Sequence, residues 1–194
     1  MKIGGLQKLT LIDYPGKVAA AVFTAGCNFF CPFCHNPDLV LLRKSEKYPF
    51  LSEEQFFWWL EKNLGLLDGV CISGGEPTIH RDLPEFIKEI KDLGLRVKLD
   101  TNGSNPEMLE RLIKNDLLDY VAMDIKAPIN KYSKFYNLPI NAAGIKKSVN
   151  LIRQMPDYEF RTTIIPDLHK KKDLMEIGQW LNGSKKYVDR KSVV

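Results

Sequence analysis

The sequence predicts an α/β fold in which a parallel sheet carries its helices on the outside. Short apolar segments alternate with longer segments of helical periodicity, and the connections between them are short. Right-handed crossovers between parallel strands curl such a sheet into a barrel or a partial barrel. With 194 residues, the chain is long enough for one domain with a sizeable core.

Six segments are predicted as strands because they are short, apolar and followed by turn-forming or polar residues. Five are complete, at 18–24, 69–73, 96–99, 120–123 and 159–165, and a sixth begins at Tyr187. Residues 3–14 are predicted to be a lead-in that ends at the turn dipeptide Pro15-Gly16.

Helical periodicity predicts five helices between and after these strands. Ser52 and Gln55 have the spacing of a capping box for the first helix, and Gly65 follows its end. On that helix Trp58 lies opposite the apolar stripe, so we expect it to pack under neighbouring chain, or alternatively to dock a protein partner. The predicted helices span 52–63, 83–93, 106–115, 141–155 and 172–181.

We expect a single domain over residues 1–194. It divides into a lead-in (1–17), a core (18–184) and a shortened sixth strand with the tail (185–194). The tail has no helical pattern, so we expect the closing edge of the barrel to be truncated or altered. An open strand edge is an aggregation risk unless it is covered.

Composition excludes several classes of protein. Hydrophobic residues make up 44% and charged residues 27%, as in ordinary soluble domains. The net charge of +4, with 24 acids interspersed, does not indicate nucleic-acid binding. The N-terminus lacks the apolar segment of a signal peptide, and no apolar run approaches the roughly 18 residues that a membrane span needs. Four cysteines, three of them clustered, do not resemble a disulfide framework, so we expect the reducing cytoplasm.

The segment AGCNFFCPFCHN, at 25–36, is the most informative in the chain. It places Cys27, Cys31 and Cys34 in a C-x3-C-x2-C spacing, directly after a predicted strand. A structural zinc site takes four closed ligands, often in two separated pairs, and this chain has no second pair. An iron–sulfur cube normally takes four thiolates, so three would leave one iron open to bind and activate a ligand.

This cysteine pattern, with the aromatic Phe33 before its last cysteine, resembles the radical S-adenosylmethionine (SAM) superfamily. The flanking sequences LIDYPGK (11–17), VFTAGCNFFCPFCHNPDLV (22–40) and ISGGEPT (72–78) resemble the glycyl-radical activases of anaerobic ribonucleoside-triphosphate reductase. The resemblance covers nearly the whole chain. It implies a partial (β/α)6 barrel, a 4Fe-4S cluster held by the three cysteines, and SAM bound to the open iron.

The same resemblance implies a reaction and its partners. The reduced cluster would cleave SAM reductively to methionine and a 5′-deoxyadenosyl radical, which removes a hydrogen atom from a glycine. That glycine would lie in a loop of the large subunit of anaerobic ribonucleotide reductase. A flavodoxin-type or ferredoxin-type protein would supply the electron.

Polar residues follow three successive predicted strands and are therefore expected at one mouth of the barrel. They are Glu76, then Asp100-Thr101-Asn102, then Asp124 and Lys126. One such residue is ordinarily a helix cap, but repetition on successive strands favours a site. Two glycines before Glu76 would let the backbone approach a ligand closely.

The resemblance assigns roles to these positions. The GGEP segment, with Gly74, Gly75 and Glu76, would hold the amino group of SAM. Asp100, Thr101, Asn102 and Asp124 would line the site for SAM and the substrate peptide. Lys126 and Arg161 would meet the ribose or carboxylate of SAM, and Phe33 the adenine.

The remaining cysteine and the histidines are expected to be structural. Cys71 lies inside a predicted strand, so a buried thiol is favoured over a fourth cluster ligand. His35 is expected to shape the cysteine loop, and His80 and His169 are expected on the surface.

Three alternatives remain open on sequence alone. The enzyme could act on another glycyl-radical enzyme or on a small molecule, as in 7-carboxy-7-deazaguanine synthesis. The chain could instead be a non-catalytic metal protein, such as an electron carrier or a zinc module. It could also be an inactive fragment, given the tail.

Overall fold

The computed structural model describes residues 1–32, 34, 37–40, 50–133, 141–166 and 168–191. These residues contain one seven-stranded sheet whose spatial order follows the sequence. The strands are β1 (Ile3–Thr10), β2 (Ala19–Thr24), β3 (Gly69–Gly74), β4 (Arg96–Thr101), β5 (Tyr120–Asp124), β6 (Tyr158–Ile164) and β7 (Tyr187–Lys191).

Strands β2 to β7 are parallel neighbours, as the sequence predicts, and each predicted strand lies within three residues of the observed one. The sixth parallel strand, β7, pairs with β6 through five register positions. No pairing joins β1 to β7 in the described part of the chain, so the sheet is a partial barrel. The predicted α/β fold is therefore confirmed.

The predicted lead-in is wrong in one respect, because residues 3–10 form strand β1. This strand runs antiparallel to β2, with two irregularities in its register. Its sequence, IGGLQKLT, has two glycines near its start and three consecutive exposed residues near its end. It therefore lacks the alternation of buried and exposed residues that is typical of a strand. Pairing with β2 supplies the stability that local propensity does not.

Five of the described helices lie where the sequence predicts them, whereas the single helical turn at Pro37–Val40 is not predicted. The capping box of α2 is present: the Ser52 hydroxyl accepts from the Gln55 N–H, and the Gln55 side chain accepts from the Ser52 N–H. No described helix is long and apolar enough to cross a membrane. The helices are α1 (Pro37–Val40), α2 (Glu53–Glu61), α3 (Leu83–Asp92), α4 (Pro106–Lys114), α5 (Ala142–Ile152) and α6 (Lys171–Trp180).

The two faces of the sheet differ in chemistry. Because side chains alternate along a strand, one face of β3 to β6 packs its apolar residues against the helices. That core includes Val70, Ile72, Val97, Leu99, Val121, Met123 and Phe160. The opposite face carries Lys98, Asp100, Asp124 and Arg161, which bond to one another. The inside of the partial barrel is therefore polar.

Tyr14, from the LIDYPGK segment, covers the amino-terminal end of the barrel. It is 3% exposed, and its ring centroid lies 6.0 Å from that of Tyr120 at the start of β5. A Cβ on Gly69, at the start of β3, would lie 3.1 Å from the Tyr14 ring. This segment therefore closes the end of the barrel opposite the polar strand ends.

Candidate active site

A cavity of about 250 Å³ opens at the carboxyl ends of the parallel strands. Ligand cavities in proteins are typically about 300–1,000 Å³, so this one lies just below the usual range for a small molecule. It brings together every predicted site residue that the structure describes; Phe33 lies outside the described residues. The lining residues are Cys27, Phe29, Cys31, Cys34, Val40, Ser73, Gly74, Gly75, Glu76, Asp100, Thr101, Asn102, Asp124, Lys126, Arg161, Thr163 and Arg190.

The three clustered cysteines line this cavity, each is partly exposed, and none forms a disulfide within the described residues. The Cys27 sulfur accepts a hydrogen bond from the Phe29 N–H at 3.3 Å. Burial, reinforced by the charge of Glu76, raises the pKa of Cys27 to about 11. A thiol held protonated in this way needs a metal to become a thiolate at neutral pH.

The donor set fits a cluster better than a single ion. Among the described residues, no three His, Cys, Asp or Glu side chains converge where one metal ion could bind. A cube distributes its thiolates over separate irons, so its ligands line a cavity without meeting at a point. Cys27, Cys31 and Cys34 have this arrangement, which is not that of a closed four-ligand zinc site.

One wall of the cavity is held together by hydrogen bonds of the backbone and of the Glu76 carboxylate. We call this the hydrogen-bonded wall: Gly74, Gly75, Glu76, Thr101 and Asn102. The Gly75 N–H donates to Thr24 O at 2.8 Å, and the Glu76 N–H donates to Gly26 O at 2.9 Å. A Cβ on Gly75 would lie 1.9 Å from Gly26 O. The close approach expected of these glycines is therefore made to the cysteine segment of the chain itself.

Glu76 joins the turn after β3 to the end of β4 within this wall. Its side chain is 1% exposed, and both carboxylate oxygens accept from protein donors. Oε1 accepts from the Thr78 N–H at 3.1 Å, from the Thr78 hydroxyl at 2.5 Å and from the Thr101 hydroxyl at 2.7 Å; Oε2 accepts from the Asn102 N–H at 2.6 Å. Burial raises the pKa of Glu76 although these donors oppose the shift.

The loop after β4 also reaches the cysteine segment directly. The Asn102 amide donates to Asn28 Oδ1 at 3.0 Å, and the Asn28 amide donates to the Ser104 hydroxyl at 2.8 Å. The Ser104 N–H donates back to Asn102 Oδ1 at 2.9 Å. The hydrogen-bonded wall and the cysteine segment are therefore one connected unit.

The other wall is built from charges. We call this the ion-paired wall: Asp100, Asp124, Lys126 and Arg161. Arg161 reaches Asp100 Oδ2 through Nη2 at 3.2 Å and Asp124 Oδ1 through Nε at 3.0 Å. Lys126 Nζ pairs with Asp124 Oδ2 at 2.7 Å. Strands β4, β5 and β6 are thus joined across their polar face.

Electrostatics keep this wall charged. Burial by itself would raise the pKa of Asp100 and Asp124, but nearby cations outweigh it and lower both. For Asp100 the main cation is Arg161, followed by Lys98; for Asp124 it is Lys126, followed by Arg161. Burial would lower the pKa of Lys126, but Asp124 raises it. The wall therefore presents paired charges of both signs to the cavity.

Sequence reasoning missed several residues around this wall. Lys98 is 1% exposed and forms an ion pair with Asp100, which also accepts from the Ser73 hydroxyl at 3.1 Å. Two residues apart on one strand, Lys98 and Asp100 share a face, and that spacing was an available signal. Thr163 and Arg190 line the cavity from β6 and β7, for which the sequence offers no comparable pattern.

Three expectations about residues outside the cavity are resolved. Cys71 is fully buried and does not line the cavity, and burial raises its pKa to about 12. The surface assignments of the histidines are wrong: His169 is 5% exposed, and His80 is partly buried with its Nε2 enclosed. The prediction that Trp58 packs under neighbouring chain is also wrong, because its side chain is 61% exposed. Lys62 Nζ lies 3.7 Å from the centroid of its ring. His35 lies outside the described residues.

Comparison with known families agrees with this geometry. The Radical SAM superfamily matches residues 21–181, which is most of the chain. The chain therefore belongs to the radical SAM superfamily, whose members use a 4Fe-4S cluster and SAM. Its relatives by sequence place it, more narrowly, among the activating enzymes of glycyl-radical enzymes.

Two relatives illustrate this placement among the activating enzymes, and two solved structures illustrate the fold. A protein of Methanocaldococcus jannaschii with the provisional name glycyl-radical enzyme activating enzyme is 37% identical, over 91% of this chain and 74% of its own. Pyruvate formate-lyase-activating enzyme of Clostridium pasteurianum is 31% identical, over 64% of this chain and 52% of its own. QueE from Escherichia coli (TM-score 0.62, 16% identity, 96% and 80% covered) and anSMEcpe with bound AdoMet (TM-score 0.63, 16% identity, 87% and 50% covered) share the fold.

Proposed function

We propose that this chain installs a glycyl radical on anaerobic ribonucleoside-triphosphate reductase, using a 4Fe-4S cluster and SAM, in the cytoplasm. The observation that carries the proposal is a cavity that brings together three clustered cysteines, a glycine turn and a wall of paired charges. Its relatives support the coarser function of a radical SAM activase. The flanking sequences LIDYPGK and VFTAGCN support the reductase as the target.

Cys27, Cys31 and Cys34 would hold the cluster, leaving one iron for SAM. When bound, these groups supply one-electron cleavage of a carbon–sulfur bond and hydrogen-atom abstraction. Cys71 has no part in this, because its thiol is buried away from the cavity.

The chain's own residues bind and orient the cofactor. The backbone of the Gly74–Gly75 turn would take the amino group of SAM, since the Glu76 carboxylate is occupied by protein donors. Lys126 and Arg161 would neutralise its carboxylate, and the carboxylates of Asp100 and Asp124 would accept from its ribose hydroxyls. Thr101 and Asn102 would hold the turn in place, and Phe33 would contact the adenine.

The partner protein would present a flexible glycine-bearing loop at the open mouth of the barrel. In a single domain with Tyr14 at the closed end of the barrel and strand β7 at the open edge of the sheet, that mouth would be accessible to a protein. A flavodoxin-type or ferredoxin-type protein would deliver the electron. A pyruvate formate-lyase-type enzyme is the second candidate target, because several relatives are named pyruvate formate-lyase-activating enzyme.

The test begins under anaerobic conditions. The protein is reconstituted with iron and sulfide, reduced with dithionite, and studied by low-temperature electron paramagnetic resonance with and without SAM. We expect a cubane signal that changes when SAM is added. A cluster indifferent to SAM would refute the radical SAM assignment, and zinc in place of iron would favour a metal-binding module.

Two further arms separate the finer claims. Cys31→Ala should lose the cluster while Cys71→Ala retains it, and the opposite result would overturn the ligand assignment. The loaded protein is then offered anaerobic ribonucleotide reductase and pyruvate formate-lyase separately, with a glycyl-radical signal as the measurement. A signal only on the lyase would correct the target while leaving the chemistry intact.

A further inference from the structure

The backbone at Lys126 is held by side chains rather than by the sheet. Strand β5 ends at Asp124, so the next two peptide groups lie beyond the last paired position. The Lys126 N–H donates to the Tyr132 hydroxyl at 3.0 Å, and the Lys126 carbonyl accepts from His169 Nε2 at 2.9 Å. Both polar backbone groups of Lys126 are therefore fixed by aromatic side chains, one from six residues and the other from 43 residues further along the chain.

The preceding residue is held as firmly. The Ile125 N–H donates to Arg161 O at 2.7 Å, and the Ile125 carbonyl accepts from the Thr162 hydroxyl at 2.8 Å. All four polar backbone groups of Ile125 and Lys126 are thus satisfied inside the protein. Such complete bonding of a segment outside regular structure fixes the direction in which its side chains leave the backbone.

The two aromatic residues are rigid supports. Tyr132 is fully buried and His169 is 5% exposed. His169 Nδ1 accepts from the Ile165 N–H at 3.1 Å, so its proton lies on Nε2, which faces the Lys126 carbonyl. The imidazole therefore ties the loop after β6 to the end of β5.

We propose that Tyr132 and His169 are positioning residues that fix Lys126 so that its ammonium stays in the cavity beside Asp124. The inference rests on the proposed function, in which Lys126 meets the carboxylate of SAM. A lysine side chain has four rotatable bonds, so a fixed backbone removes part of the freedom that binding would otherwise have to restrict. The pair would act on SAM affinity without touching SAM.

The main test is Tyr132→Phe, which removes one oxygen and keeps the ring. We expect the dissociation constant for SAM, measured by titration of the reduced cluster's resonance signal, to rise roughly tenfold, with unchanged iron content. Tyr158→Phe is the matched control, because the Tyr158 hydroxyl accepts from the Lys185 N–H at 3.0 Å and is buried to a similar degree. An equal loss in both variants would mean a general effect of stability and would refute the proposal.

A double-mutant cycle separates positioning from packing. In a Lys126→Met background, Tyr132→Phe should cause no further loss of SAM affinity, because there is no ammonium left to position. Additive losses would overturn the proposal.

His169 is tested with two amides. His169→Gln keeps an N–H donor near the Nε2 position, whereas His169→Asn keeps an acceptor near Nδ1 but does not reach the Lys126 carbonyl. We expect the Gln variant to retain SAM affinity and the Asn variant to lose roughly as much as Tyr132→Phe. Equal affinities would show that the bond to Lys126 has no role.

Hydrogen exchange in the protein without cofactors makes the test independent of the proposed function. The Lys126 amide should exchange faster in Tyr132→Phe than in wild type, and at the wild-type rate in Tyr158→Phe. If wild-type protein fails to bind SAM, the proposed function fails. The exchange rate of the Lys126 amide still decides whether Tyr132 holds the Lys126 backbone. If SAM binds normally to Tyr132→Phe, the positioning role fails and the proposed function stands.

Discussion

The two walls of the cavity face the same space but are held together by different forces. The hydrogen-bonded wall has no ion pair among its residues; its backbone packs directly against backbone, with Gly75 against Gly26. The ion-paired wall has side chains from three strands, joined at Arg161 by charge. The first wall contacts the cysteine segment, whereas the second reaches down to buried Lys98.

The difference indicates a division of labour. Backbone contacts at van der Waals distance cannot adapt without moving the chain, so the hydrogen-bonded wall is suited to holding the cysteines in place. Ion pairs can exchange partners with modest side-chain movement, so the ion-paired wall is suited to receiving a charged ligand. Substitutions in the two walls should therefore differ in size, in pH dependence and in which cofactor is lost.

The largest expected effect is that of Arg161→Met. It would leave Asp100 without its main counter-charge and Asp124 with only Lys126. Breaking a buried network of this kind costs about 3–5 kcal/mol of unfolding free energy, which chemical denaturation measures.

Arg111→Met is the control, because Arg111 pairs with Glu85 at 2.8 Å on the surface, where both side chains are more than half exposed. Its cost should be about 1 kcal/mol or less. If both variants lose the same stability, the ion-paired wall is not a buried network.

Gly75→Ala should have the next largest effect, on the opposite wall. The new Cβ would lie 1.9 Å from Gly26 O, which is backbone and cannot turn aside. We expect a loss of about 1–3 kcal/mol and a lower iron content after reconstitution, since Gly26 adjoins Cys27.

Gly178→Ala provides the contrast, because nothing lies within 4 Å of its added Cβ and the site is exposed on α6. It should stabilise the protein by about 0.5–1 kcal/mol. Normal iron loading in Gly75→Ala would show that this contact does not set the cysteine segment.

The contributions of the two walls to the stability of the protein should also change with pH in opposite directions. Burial raises the pKa of Glu76, so its contribution to stability is full below the unfolded value of about 4.3 and is lost as the pH rises through the folded value. For Asp124, Lys126 and Arg161 outweigh burial and lower the pKa, so its contribution is full above the unfolded value of about 3.9 and is lost as the pH falls.

Denaturation of the cofactor-free protein across acid and neutral pH tests this. Because glutamine does not titrate, the cost of Glu76→Gln in unfolding free energy should be highest in acid and should fall towards neutrality. Asp124→Asn should be most costly near neutrality, and its cost should shrink below about pH 4. Parallel pH profiles for the two variants would contradict the distinction between the walls.

Sequence reasoning found the parallel strands and most of the cavity because those signals are local. Apolar runs that end in Gly-Gly-Glu or Asp-Thr-Asn place polar groups at one edge of a parallel sheet whatever the details of packing. Strand β1 has no such signal, because its pairing with β2 decides its structure.

The misassigned residues depend on contacts between distant positions. The HKKK sequence at 169–172 suggests a segment exposed to solvent. His169 is nevertheless buried, and it bonds to the Lys126 carbonyl, 43 residues away. The Glu76 carboxylate likewise accepts hydrogen bonds from Thr101 and Asn102, which come from the end of the next strand. Single-sequence patterns do not report which partner a polar group finds.

The smallest expected change is that of Asn28→Ala, which tests whether the hydrogen-bonded wall acts on the cysteines through side chains as well as backbone. Asn28 is exposed, so losing its bonds to Asn102 and Ser104 should cost only about 0.5–1 kcal/mol. Iron retained per chain after anaerobic gel filtration should nevertheless fall, because the tether lies next to Cys27. Asn115→Ala is the matched control: its side chain donates to Arg111 O at 2.7 Å on an exposed helix end. It should cost as much stability and leave iron unchanged, and if the two variants retain equal iron, the backbone contacts at Gly75 alone hold the segment.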